Sequence, residues 1–235
     1  MLQKKIILPF SLLLNVIVIL AVMFYYWQRY TVIKPYADNT GQDTVKYFCE
    51  KNLLFKNLSI DSNDVVFLGD SYIDNYAITE IFGNLNIKNR GIQGAKIINL
   101  VHLIDSSYSN NPTKIFIYIG INDIISDTPL NTSLKNYKLL IDKIRAHTKV
   151  TEIFYISVLP LRNNSKYCIN CNNEIINLNK KLSDLCKSEG VDFLDFYESF
   201  AQQGQLNIQY SINDGAHLNE IGYQKLTSLL KDYIY

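Results

Sequence analysis

The sequence predicts an α/β protein: a three-layer α/β/α sandwich around a mostly parallel five-stranded sheet, preceded by one N-terminal transmembrane helix. Three observations lead there. Short apolar runs of strand length recur after residue 63 and end at Gly, Pro or Asp. Segments with helical apolar spacing separate them, so strand and helix alternate, the pattern of crossover-linked parallel strands. Finally, Ile6 to Gln28 carries no charge.

That charge-free stretch comes first in the chain. Over about 22 residues, Ile6 to Trp27, a helix would be about 33 Å long, against a hydrocarbon core of about 30 Å. Phe24, Tyr25, Tyr26 and Trp27 end it with the aromatic side chains favoured at a membrane interface. A cleavable signal peptide is the rival reading, because Lys4 and Lys5 form a basic lead; yet the run is long and no small-x-small cleavage site follows. Residues 1–5 are thus read as a tail and 6–27 as a signal-anchor. Lys4 and Lys5 favour an N-terminus inside, partly offset by Arg29 and Lys34, so the remainder is expected outside the cytoplasm, in a periplasm or at a cell surface.

Residues 28–62 read as a stalk punctuated by Pro35, Asn39 and Gly41, with a short helix near 44–55. The domain proper is expected over 63–235. Its elements are a buried strand at Val65–Leu68, a helix over 73–82, a weak strand at Ile87–Asn89 and a helix over 96–105. Lys114–Ile119 is the clearest strand. Leu134, Tyr137, Leu140, Ile141 and Ile144 mark a helical stripe, and Glu152–Val158 is a strand closed by Pro160. Ile175, Leu178, Leu182 and Cys186 mark a helix that Gly190 can end in a left-handed cap. Val191–Leu194 is the fifth strand, and the last helix covers 219–233.

Composition limits the function. Lys and Arg number 23 and Asp and Glu 22, without a basic stripe, so nucleic acid is not an expected partner. Of the four cysteines, Cys168 and Cys171 form a C-x-x-C in an Asn-rich loop, while Cys49 and Cys186 lie far off. That set makes an unconvincing zinc site, so a local disulfide or free thiols are the readings retained, and no metal or cofactor is expected.

Histidine narrows the chemistry further. There are 3. His102 lies in a helical stripe and His147 near a helix end, whereas His217 sits in Asp214-Gly215-Ala216-His217, on a loop before the last helix. An Asp three residues upstream can accept the imidazole Nδ1–H and fix its tautomer. Ser71 follows the first core strand in Gly69-Asp70-Ser71; alone it reads as an ordinary N-cap, but a strand-to-helix junction also exposes a serine beside free amides. The elbow G-x-S-x-G is absent, since Ile73 stands at the final position. Asn122, in Gly120-Ile121-Asn122-Asp123, offers an amide donor, and Gly94, after Asn89-Arg90-Gly91-Ile92-Gln93, a backbone N–H.

Together, in this order and each after a strand, these blocks resemble the SGNH (GDSL-like) hydrolase family, over roughly 65–230. The resemblance implies a flavodoxin-like sandwich and a serine esterase with Ser71, His217 and Asp214 as its triad. It also implies oxyanion donors from Ser71, Gly94 and Asn122. Two departures stand out. Tyr72 follows the serine where many members have Leu, a change expected to reshape the acyl pocket, and Gly91 competes with Gly94 for the second block. The expected substrate is a short, acetyl-like O-acyl ester, on an envelope glycan if the anchor reading holds. O-acyl transfer to a sugar by the same triad is the alternative, and a non-catalytic glycan-binding protein a third reading. Oligomeric state is not legible.

Overall fold

The computed structural model describes residues 15–24 and 42–235. The chain divides into two compact units, residues 1–45 and 46–235. Within the first, 15–24 are helical and exposed along their length. The rest of the expected anchor, and most of the stalk before residue 42, lies outside the described residues. Among the described residues no helix is long and apolar enough to cross a membrane.

The second unit holds a parallel sheet of five strands, β1 (Val65–Gly69), β2 (Ile87–Gly91), β3 (Lys114–Tyr118), β4 (Glu152–Ile156) and β5 (Asp192–Leu194), in the order β2-β1-β3-β4-β5. Helices cover it in sequence: α1 (Gln42–Lys56), α2 (Ser71–Asp74), α3 (Ile78–Phe82), α4 (Ile97–Leu103), α5 (Ile121–Ile125), α6 (Leu130–His147), α7 (Asn172–Glu189), α8 (Tyr197–Phe200) and α9 (Glu220–Ile234). A two-stranded ribbon, β6 (Ala201–Gln202) with β7 (Gln205–Leu206), follows α8.

The inner strands β1, β3 and β4 are buried on both faces beyond their first residues and read as continuous apolar runs, whereas the edge strand β2 carries the half-buried Lys88 and Asn89. Successive side chains alternate between faces. Phe67, Phe116 and Phe154 are partners in register across β1, β3 and β4, and their rings stack at 4.7 Å each. They share a core cluster with Tyr72, Ile73 and, from α9, Leu226, Leu230 and Ile234. Tyr155 points to the other face and meets Tyr137 of α6 edge-on at 5.4 Å. So α9 and α6 lie on opposite sides of the sheet, which makes the three layers.

Three local features differ from the sequence reading. The single helix expected over 73–82 is two short ones. Asn89, at the third register position of the edge strand β2, donates its side-chain amide to the carbonyls of Ile73 (2.6 Å) and Tyr76 (3.0 Å). These carbonyls are satisfied outside the helix, so the chain turns after α2 and buries both Tyr76 and Ile78. The weak strand at 87–89 runs on to Gly91, paired with all of β1. Finally, the compact unit starts at Lys46 and not near residue 63. In α1, Phe48 and Phe55 are buried, while Tyr47 and Lys51 bind Asp74 of α2 at 2.6 and 2.7 Å. Gly190 caps α7 with φ +62°, as its spacing predicts.

Candidate active site

In register, Gly91, Gly69 and Tyr118 stand side by side at the ends of β2, β1 and β3. The three loops that follow therefore leave the sheet at one level, its carboxyl edge, where α/β folds collect their reactive groups. β1 passes into α2 without a spacer. A Cβ on Gly69 would lie 2.4 Å from Ile73 Cγ1 and 2.5 Å from the Tyr118 carbonyl, so the turn admits only glycine. Asp70 caps α2 by accepting from the Tyr72 amide at 3.0 Å, which leaves Ser71 as the first helical residue with its own N–H unused by the helix.

The loop before α9 brings the other two groups. His217 Nε2 lies 2.8 Å from Ser71 Oγ, and His217 Nδ1 lies 2.6 Å from Asp214 Oδ2. Asp214 Oδ1 accepts from the amides of Ala216 (2.9 Å) and His217 (3.0 Å). Burial opposes ionisation of Asp214, but the His217 bond and these amides outweigh it and hold the carboxyl below its ordinary value. An ionised carboxylate only accepts, so Nδ1 carries the ring proton and Nε2 presents its lone pair to the serine hydroxyl.

The loop is braced from three sides. The Arg162 amide donates to the Gly215 carbonyl (2.8 Å), Lys166 to the Asp214 carbonyl (3.1 Å) and Ile212 to the His217 carbonyl (3.0 Å). Gly215 sits at φ +75°, with a Cβ position 3.1 Å from the Ser165 backbone. The Tyr72 hydroxyl donates to the Ala216 carbonyl. Tyr72 is 2% exposed, with its ring 4.7 Å from Tyr118 and 5.8 Å from His217. The expectation that Tyr72 reshapes an acyl pocket is thus corrected: its hydroxyl is committed to the histidine loop and its ring to the core.

The two glycines of the second block separate in role. The Gly91 amide is taken by Asn89 Oδ1 at 2.8 Å, and a Cβ there would lie 2.1 Å from the Asp74 nitrogen. Gly91 therefore serves the packing of β2 against α2. Gly94 occupies a turn at φ +69°, a conformation that favours glycine. Asn122 stands at the second position of α5 and donates its side-chain amide to the carbonyl of Ala95, next to Gly94, at 3.0 Å. That bond orients the amide and ties the second block to the third, while its other N–H remains for a ligand. The remaining histidines stand apart: His102 is depressed by burial and by Lys143, and His147 meets Ser109 at 3.4 Å.

Three features were not singled out from the sequence. Asp70 and Asp123, each next to a site residue, are 0% and 1% exposed, and burial raises both to about 7. Asn89 clasps the end of the serine helix. Tyr167 stands edge-on to the His217 ring at 5.5 Å. Only pairing across loops reveals them, although the Asp-Ser and Asn-Asp dipeptides hinted at the first. Cys168 and Cys171 are joined in a disulfide; Cys49 is exposed, and Cys186 is buried with its thiol pushed up to about 12. Among the described residues no group of three or more His, Cys, Asp or Glu could hold a metal ion.

Comparison with known proteins adds to this geometry. A family described as GDSL-like Lipase/Acylhydrolase matches residues 67–225. A solved structure from Streptococcus pneumonia, provisionally named for platelet activating factor, is 30% identical; the match covers 91% of this chain and 99% of that one, with a TM-score of 0.73. A GDSL-like lipase from Bacteroides thetaiotaomicron is 21% identical over 80% of this chain and 96% of its own, TM-score 0.69. An acetyl xylan esterase is 18% identical over 73% and 100%, TM-score 0.60; these last two are likenesses of fold. Comparison with curated proteins finds no match.

Proposed function

The chain belongs to the GDSL-like lipase/acylhydrolase family of ester-hydrolysing enzymes, and from that premise we propose a membrane-anchored serine esterase with Ser71 as nucleophile. The observation that carries the reading is the continuous relay from Asp214 Oδ2 through the His217 ring to Ser71 Oγ, at 2.6 and 2.8 Å. Ser71 Oγ attacks the ester carbonyl while His217 Nε2 takes its proton, and Asp214 stabilises the imidazolium. The Ser71 and Gly94 amides and the Asn122 side chain face the tetrahedral anion. Collapse of that anion breaks the bond to the alcohol, which leaves with the proton from Nε2. Water then repeats the sequence on the acyl-enzyme and releases the acid.

A short, acetyl-like acyl group on an envelope glycan is the proposed substrate. The anchor reading of residues 6–27 supports an extracytoplasmic site, and so does the Cys168–Cys171 disulfide, a bond that persists in oxidising compartments. The test uses the full chain in detergent with p-nitrophenyl acetate, with and without sugar acceptors. Turnover in the wild type and its loss in Ser71→Ala are expected. No turnover of any acetyl ester by folded protein would overturn the esterase reading, and acetyl appearing on the sugar would redirect it to acyl transfer.

A further inference from the structure

His217 stands between two aromatic rings of different kinds. Tyr72 is buried and bonded, whereas Tyr167 is 50% exposed, with its ring perpendicular (90°) to the imidazole at 5.5 Å. A half-exposed aromatic ring in contact with the general base presents its remaining surface to whatever occupies the site.

The loop that carries Tyr167 is built to hold it there. The Lys166 amide, one residue before, donates to the Asp214 carbonyl, and the Tyr167 amide donates to the buried Ser165 Oγ at 3.3 Å. One residue after, Cys168 is bonded to Cys171, which is itself the N-cap residue of α7. A bridge between Asn164 and Ile169 closes the loop that carries Tyr167. Tyr167 is thus fixed to the histidine loop on one side and to an 18-residue helix on the other. Such fixing is what a contact surface needs, because ordering a mobile aromatic on binding would cost affinity.

Chemistry decides which half of the substrate meets it. In the reaction proposed above, His217 Nε2 returns its proton to the departing oxygen, so the alcohol half must lie against the imidazole, and the acyl oxygen points to the Asn122 side. We infer that Tyr167 is the platform of an alcohol-side subsite that takes a ring-shaped, hydroxyl-bearing alcohol, a pyranose sugar. The C–H face of such a ring packs on the π-face of tyrosine. Its hydroxyls find donors in Asn163, Asn164 and Lys166, exposed residues of the same loop. A plain alkyl alcohol would use neither.

The inference rests on the esterase reading, and the experiment separates the two. The full chain in detergent is assayed by pH-stat on two acetates that differ only in alcohol: an acetylated methyl xylopyranoside and ethyl acetate. Tyr167→Ala should lower the ratio of kcat/KM for the sugar ester to that for ethyl acetate by about threefold to tenfold, the usual worth of one aromatic packing contact, mainly through KM. Tyr167→Trp should keep the ratio, and the double variant Cys168→Ser, Cys171→Ser should lower it as Tyr167→Ala does. An unchanged ratio in Tyr167→Ala, or an equal loss on both esters, would overturn the inference while leaving the esterase in place. Wild-type inactivity toward both acetates would overturn the esterase reading, and the platform with it.

Discussion

The hydroxyl of Tyr72, the residue directly after Ser71, donates to the carbonyl of Ala216, the residue directly before His217. One buried side chain thereby couples the two loops that must meet for the relay to form. Tyr72→Phe removes the bond and leaves a buried carbonyl unpaired, so it should destabilise the fold by about 1–3 kcal/mol. Because His217 is then less firmly held, kcat should fall with little change in KM. Denaturant unfolding and steady-state kinetics on p-nitrophenyl acetate read both effects; unchanged stability would show that the bond contributes nothing.

Ser71→Ala should abolish esterase activity with little effect on stability, since it deletes one hydroxyl from a first-turn position. A serine-directed phosphonate should label the wild type in equal stoichiometry and spare the variant. Labelling of Ser71→Ala at the wild-type rate would remove Ser71 from its role.

Asn122→Ala should reduce kcat by about a hundredfold to a thousandfold, the usual loss for one oxyanion donor. It also removes the bond to Ala95, so the loop carrying Gly94 loosens at the same time. A loss confined to KM would mark Asn122 as a residue that binds substrate in its ground state.

Stability should depend on pH in an unusual direction near neutrality. Asp70 and Asp123 are raised by burial from 3.8 to about 7, and the Asp70 Oδ2 has no hydrogen-bond partner among the described residues. A raised folded-state value means that the folded form holds the proton more tightly than the unfolded chain. Their contribution is therefore complete below about pH 3.8 and is lost as pH rises through about 7. Asp214 acts oppositely: its value is lowered, so its contribution is present above 3.8 and fades as pH falls through its folded value. Between about pH 8 and about pH 6, where only the raised pair titrates of these three, the melting temperature should climb on acidification. Asp70→Asn should flatten that slope. A profile of equal slope in wild type and variant would assign the pH dependence elsewhere.

How much could be read beforehand follows from where each signal resides. β1, β3 and β4 are legible because strands buried on both faces must be apolar almost throughout, and the Gly190 cap is local chemistry. Position after a strand also brought Ser71 and Asn122 forward, because function at a sheet edge is tied to chain order, and the Asp-x-x-His spacing brought forward Asp214 and His217. The break after Asp74 was not legible: its cause is the Asn89 side chain, which reaches back from the next strand. Tyr72 and Tyr167 were opaque for the same reason. An aromatic in a loop reads as core or as pocket until the partner of its ring is known.

Ser71 and His217 are separated by 146 positions, and they meet only once the sheet and the Tyr72–Ala216 bond have brought their loops together. A contact of such separation carries the entropy cost of closing a long loop, which a chain meets only with the help of other long-range contacts. A ribosome-bound nascent chain, or a collapsed intermediate with its helices in place, presents a serine with no base beside it. Reactivity toward an ester is thus withheld from any form of the chain in which these two loops have not yet met. The same separation makes acquisition of phosphonate reactivity a clock for the last stage of assembly.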